Sequence, residues 1–363
     1  MAQAKNSRKA NNRSNSMMAY FLAGAVGIVI PVLHFQTTID PVLYPRFLGW
    51  SILCLILLLS FWVSRSKIHF QLNGFYNGYF ISLGAFILVS ILSLVLAYNP
   101  IEGLTDLMKW ILVWIFSAIV LQILFLDKNA LNILIKGMIL FAFLISLVGI
   151  YEYFTKTLDN PDPNAIYEVK GLMGHKNQYS FSLLLVLPFL ASSIILLNGV
   201  WRNAGIVATF IVLIMISLLQ TRAVWIAMGL STFLVGFTLW ISHKKNSLFK
   251  LQRKWIVRFG AAIVNIILFI VSISFLFPDY NPVKKVTSRV STIFDPEFTS
   301  NQWRIEIWDA TFRLAKDNPV VGVGGGNWKI SIYPYYGRYL PSVFKHWRNP
   351  HNDYLGILSE KDF

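Results

Sequence analysis

The sequence predicts an all-α polytopic membrane protein, and three observations carry that reading. Charged residues make up 13% of the 363 positions and hydrophobic ones 55%, against about 25% charged in a soluble domain. The mean hydropathy is +0.56. Long stretches nearly free of charge alternate with short basic clusters, the layout of apolar helices that cross a bilayer while their connections stay in water. Intrinsic disorder, a secreted disulfide scaffold and a cytosolic enzyme are thereby excluded. Cys54 is the single cysteine, so no intramolecular disulfide forms. The formal net charge of +15 raises the question of nucleic acid. A nucleic-acid module gathers Lys and Arg on one soluble face. Here they lie between apolar runs, so topology explains them and no nucleic-acid partner is expected.

In chain order, residues 1–16 are an Asn-, Ser- and Lys-rich tail, expected to be disordered and cytoplasmic. Residues 17–277 hold nine apolar runs, at 17–35, 47–63, 75–97, 107–126, 133–154, 180–197, 204–219, 223–241 and 259–277. A hydrocarbon core takes roughly 17–25 residues of helix. Lipid offers no partner to an unpaired peptide group, so each run is expected to be a full transmembrane helix. The first follows a basic start but lacks a convincing small-residue cleavage site, which favours an uncleaved helix over a signal peptide. With the N-terminus inside, the inner connections hold Lys5, Arg8, Lys9, Arg13, Arg65, Lys67, Lys128 and Arg202, then the cluster Lys244, Lys245, Lys250, Arg253, Lys254 and Arg258. The outer connections and helix ends hold fewer: Arg46, Lys109, Lys156, Lys170, Lys176 and Arg222. Basic residues favour the cytoplasmic side, so this orientation stands.

Nine crossings put residues 278–350 outside as one long loop, and loops of that length are usually functional. Within it, 301–316 reads as an amphipathic helix: Ile305, Trp308 and Phe312 recur at helical spacing, Asn301 suits the N-cap, and Asp317-Asn318-Pro319 ends it. With the aromatic stretch through Trp328, Tyr333, Tyr335, Tyr336 and Tyr339 nearby, this helix is expected at the membrane interface. A second outer segment, 155–179, is polar and turn-rich around Asp159-Asn160-Pro161-Asp162-Pro163. Residues 351–363 start an incomplete tenth transmembrane helix through Tyr354-Leu355-Gly356-Ile357-Leu358, so the chain reads as C-terminally truncated. No internal repeat of 20–50 residues is visible.

Ionisable residues at the ends of spans are the candidates for chemistry. Arg222, in Gln220-Thr221-Arg222 between two apolar runs, is pinned at the outer surface. It is either a guanidinium fork for a phosphate or an arginine snorkelling to lipid headgroups. Lys176 follows Gly171-Leu172-Met173-Gly174-His175, where glycines allow close approach and the next helix N-terminus favours anions. Its bland alternative is an interfacial lysine in a flexible entry turn. Arg304 lies one turn into the amphipathic helix, as an anion ligand or on a solvated face. His351, with Asn352 and Asp353, opens the tenth segment, and an imidazole there can accept a proton near neutral pH. It is otherwise a structural histidine. Glu360, nine residues on, falls on another helix face. The run Gly322-Val323-Gly324-Gly325-Gly326 has neither a dinucleotide register nor the lysine of a P-loop. No His, Cys, Asp and Glu cluster has metal-ligand spacing, so no metal is expected and a metal-dependent glycosyltransferase is disfavoured.

One ordered set of these residues has a precedent. Thr221-Arg222 with Trp225, Arg304 with Trp308, Asn318-Pro319, Gly322-Val323-Gly324 with Asn327, and His351-Asn352-Asp353-Tyr354-Leu355 with Glu360 resemble the bacterial O-antigen ligase and O-antigen polymerase family. The resemblance implies a GT-C-like helical bundle in the bacterial inner membrane, with the long loop and the active site periplasmic. It implies a glycosyltransferase that moves a glycan from undecaprenyl diphosphate to an acceptor, lipid A–core for a ligase or another glycan repeat for a polymerase. It also implies no cofactor, neither nucleotide nor metal. Carried over residue by residue, it makes His351 the base or orienter of the acceptor hydroxyl and puts Arg222 and Arg304 on the diphosphate. Lys176, Trp308, Asn327 and Asn352 stand on the substrate side; Lys176 rests mainly on its loop position. Where the family continues with a glycine after Glu360 and a hydrophobic helix, this chain has Lys361-Asp362-Phe363. The alternatives are a polysaccharide polymerase, a protein O-oligosaccharyltransferase, a lipid-linked sugar transporter, for which the duplicated halves are missing, and a non-catalytic assembly subunit.

Overall fold

A computed structural model describes residues 16–38, 40–65, 70–157, 160, 162, 165–244, 299–336 and 347–361. Among them every regular element is helical. The expected runs from 17–35 through 223–241 are all helices. In order these are α1 (Ser16–Val32), α2 (Leu43–Val63), α3 (Gly78–Ser93), α4 (Pro100–Leu126), α5 (Ala130–Thr157), α6 (Lys176–Leu196), α7 (Gly199–Leu219) and α8 (Arg222–Lys244). Five of them, α2, α4, α5, α6 and α7, are long and apolar enough to cross a membrane. A 21-residue helix such as α6 rises about 32 Å, matching a core about 30 Å thick. Helices α1 and α3 and the stretch Arg222–Thr238 of α8 are apolar but shorter. The expected ninth run, 259–277, lies outside the described residues, as do residues 1–15 of the tail, the basic cluster beyond Lys244 and the loop segments 278–298 and 337–346.

The chain divides into two compact units, residues 1–49 with 127–293, and residues 50–126 with 294–363. The first is built on α5, α6 and α7. Ile135, Ile139, Ala142 and Ile145 on α5, Tyr179, Leu183, Val186 and Leu190 on α6, and Ala208, Val212, Met215 and Leu219 on α7 form one core. Their spacing of three or four residues places each set on one helical stripe. The opposite faces carry exposed apolar residues, Leu147, Leu185 and Val207 among them, as lipid-facing helices require. Helix α1 approaches α5 through Gly27 and Gly137, where a Cβ on either glycine would meet the other helix's backbone. Small residues at such crossings replace the hydrophobic drive that lipid removes.

In the second unit α3 and α4 pack through aromatic contacts, among them Phe86 on Trp110 at 4.7 Å between centroids. The expected amphipathic helix is α9 (Thr299–Asp317), followed by short α10 (Trp328–Ser331) and α11 (Tyr333–Tyr336), and the chain closes with α12 (Asp353–Lys361). Helix α9 packs through a different face from the one its large apolar residues suggest. Ile307, Ala310 and Leu314 are buried against Val323, Trp328 and Ile332, whereas Ile305 and Phe312 are 52% and 56% exposed. The reason is steric: Ala310 and Thr311 let neighbouring elements approach closely, which bulky residues do not, and hydrophobic periodicity registers only size and apolarity. Asn301 is not the cap either, because the helix begins at Thr299.

Candidate functional site

In the first unit two span ends meet. His175 caps α6, its Nδ1 accepting the Asn177 N–H at 3.1 Å. Burial, with Lys176 and Lys170 close by, holds the His175 imidazole below its ordinary pKa, which keeps the acceptor nitrogen unprotonated. Helix α7 ends at Leu219, Gln220 takes a left-handed conformation with φ 52°, and Arg222 begins α8. Lys176 reaches across: it is 4% exposed, and its Nζ donates to the Leu219 carbonyl at 3.1 Å and stands 4.2 Å from the Tyr167 ring centroid. A cation on the last carbonyls of a helix satisfies an orphan acceptor and the negative end of the dipole together. One turn further along α6, the Ser180 and Thr221 hydroxyls lie 2.7 Å apart. The Trp225 indole donates back to the Ile216 carbonyl at 3.3 Å. Lys176 and Arg222 are therefore brought to the same turn, but the lysine is sealed beneath it while half-buried Arg222 heads α8.

The loop leading into α6 is clamped as well. Glu152 Oε2 accepts the Lys170 and Gly171 N–H groups at 2.8 and 2.6 Å, and its Oε1 pairs with Lys156 at 2.6 Å. Arg46 donates to the carbonyls of Pro31 and Leu172. Sequence reasoning passed over Glu152 and counted Arg46 only as an outer charge. The available signal was an ionisable residue at the end of an apolar run.

The second unit holds the other candidates. Asn352 Oδ1 accepts the N–H groups of Tyr354 and Leu355 at 3.1 and 3.3 Å, capping α12. Exposed His351 precedes it with φ 54°, a left-handed backbone uncommon outside glycine. Its ring stands edge-on to Trp347 at 5.1 Å between centroids, and Trp347 meets Trp303 at 6.3 Å. The Trp308 indole donates to the Pro350 carbonyl at 2.9 Å. Two links, through Trp303 and Trp308, thus join the turn of α9 bearing Arg304 to the segment bearing His351.

Asn327 is fully buried. It accepts the Asn99 N–H at 2.7 Å and donates to the carbonyls of Asn99 and Gly325 at 3.2 and 3.0 Å. The glycine run before it is a docking loop for α12: the Val323 and Gly324 N–H groups donate to the carbonyls of Ser359 and Glu360 at 3.0 and 2.9 Å. Gly322, at φ 64°, lies flat against the Glu360 backbone, where no Cβ fits. Glu360 in turn accepts the Trp328 N–H at 3.0 Å. Among the described residues no three His, Cys, Asp or Glu side chains gather as a metal site requires.

With that geometry in view, residues 207–361 match a family model described as O-antigen ligase. This part of the chain is similar to the O-antigen ligase family. No curated protein and no solved structure matches the chain. The matched region contains Arg222, Arg304, Trp308, Asn327, His351 and Asn352, and leaves Lys176 outside. Arg222 comes from the first unit, and Arg304 and His351 from the second. Within the matched region, Asn327 and Asn352 have their amide groups engaged with backbone, while Arg222, Arg304 and His351 are half-buried or exposed.

Proposed function

We propose that the protein is a multi-pass glycosyltransferase of the O-antigen ligase type. It transfers a glycan from undecaprenyl diphosphate to lipid A–core or a related acceptor on the periplasmic face of the inner membrane, with its N-terminus cytoplasmic. The observation that carries the reading is the matched region itself, whose ordered arginines and histidine include Arg222 at the head of an apolar helix. The acceptor hydroxyl attacks the anomeric carbon of the donor sugar, the carbon–oxygen bond to the diphosphate breaks, and the electron pair leaves with the lipid diphosphate. His351 takes the hydroxyl proton. Arg222 and Arg304 stabilise the negative charge that builds on the leaving group, the usual largest contribution in such sites. Charge-assisted hydrogen bonds contribute about 1.5–3 kcal/mol each, so two guanidinium forks accelerate departure substantially. Asn327, Asn352 and Trp308 stand on the substrate side of this reading.

The test is glycan transfer in cells. Arg222→Ala and His351→Ala each abolish the lipopolysaccharide ladder at unchanged protein level, and Arg222→Lys retains part of it because a point charge lacks the bidentate fork. Unchanged ladders with both alanine variants overturn the reading. A deletion strain with uncapped core and accumulated long carrier-linked chains identifies a ligase; single-repeat capping identifies a polymerase.

A further inference from the structure

We infer that Lys176 and Ser180 are positioning residues that aim the Arg222 guanidinium; this rests on the ligase reading above. Lys176 and Ser180 are four apart at the start of α6, so they share one helix face. Each grips one side of the turn between α7 and α8: the Lys176 ammonium holds the Leu219 carbonyl at 3.1 Å and the Ser180 hydroxyl holds that of Thr221 at 2.7 Å. Between these two points lies Gln220, a non-glycine residue at φ 52°. Residues in that region cost free energy and persist only where their surroundings over-determine them. Lys176 at 4%, Ser180 at 0% and Thr221 at 7% exposure form that over-determination. The next residue is Arg222. A planar fork needs a fixed direction to meet two oxygens at once, whereas a lysine charge on a flexible stem does not. The two pins supply that direction. Lys176 therefore acts through Arg222 and makes no contact with the diphosphate.

The experiment measures transfer by the full chain in membranes for Ser180→Ala and Lys176→Met, each in the Arg222 and the Arg222→Lys background. Loss of aim lowers transfer about tenfold with Arg222, a factor worth 1.4 kcal/mol, and less than about twofold with Arg222→Lys. Thr221→Ser, which keeps the hydroxyl, retains near wild-type transfer. Equal losses in both backgrounds mean that the pinning residues act independently of the guanidinium, or touch substrate themselves, and overturn the inference. So does wild-type transfer in Ser180→Ala and Lys176→Met while Arg222→Ala is inactive. If Arg222→Ala itself transfers normally, the inference falls with the role of Arg222, and if His351→Ala transfers normally as well, the ligase reading has failed and not merely the pinning.

Discussion

At the scale of single residues, the candidates fall into those that face water and those that hold the frame. His351 combines exposure with a left-handed backbone, and asparagine is among the few residues that tolerate that conformation. His351→Asn should therefore fold within about 0.5 kcal/mol of the wild type, as ordinary surface substitutions do, yet lose glycan transfer; thermal melting beside the ladder assay checks both halves. Asn352 has the opposite character. Its cap on α12 predicts that Asn352→Ala costs about 1 kcal/mol, read as a lowered melting midpoint. His175 brings pH into the frame. Its folded pKa is depressed, so the cap on α6 is fully present above the ordinary histidine value of about 6.5 and weakens as pH falls below it. The wild type should lose more thermal stability between pH 7.5 and 5.5 than His175→Asn, whose amide caps without titrating. Equal losses in the two proteins would falsify that assignment.

At the scale of elements, α9 and the glycine loop show how packing selects a face. Ile307→Ala or Leu314→Ala removes buried side chains and should cost about 2–5 kcal/mol, whereas Ile305→Ala and Phe312→Ala, on the exposed face, should leave the helix pack intact. Denaturation of each variant in detergent measures the contrast. Periodicity located this helix almost to the residue, predicting 301–316 where Thr299–Asp317 forms. It failed on orientation because Ala310 and Thr311 are small, and small residues at a contact leave no apolar peak. The glycine run was legible as something other than a nucleotide loop, since it lacks the required register and lysine. That its amides bind the carbonyls of α12 depends on which backbone comes to rest against it, a tertiary matter.

At the scale of the whole molecule, the charge pattern makes a topological prediction. Asn160→Cys should react with a membrane-impermeant maleimide added to cells permeable only to the periplasm, and Asn198→Cys should not. Cys54, at 3% exposure, adds little background to either. Labelling in the reverse pattern rejects the orientation and with it a periplasmic Arg222. Composition, run length and the order of a few motif residues were enough to read helices and the likeness of residues 207–361 to the O-antigen ligase family, because lipid permits few backbone solutions and each motif is local in the chain. That Lys176 closes a helix end was not readable that way: Lys176 and Arg222 look alike as basic residues at the ends of apolar runs. Only the packing of α6 on α7 decides, by burying the ammonium on the Leu219 carbonyl, since burial and hydrogen-bond partners are properties of contacts between segments far apart in sequence.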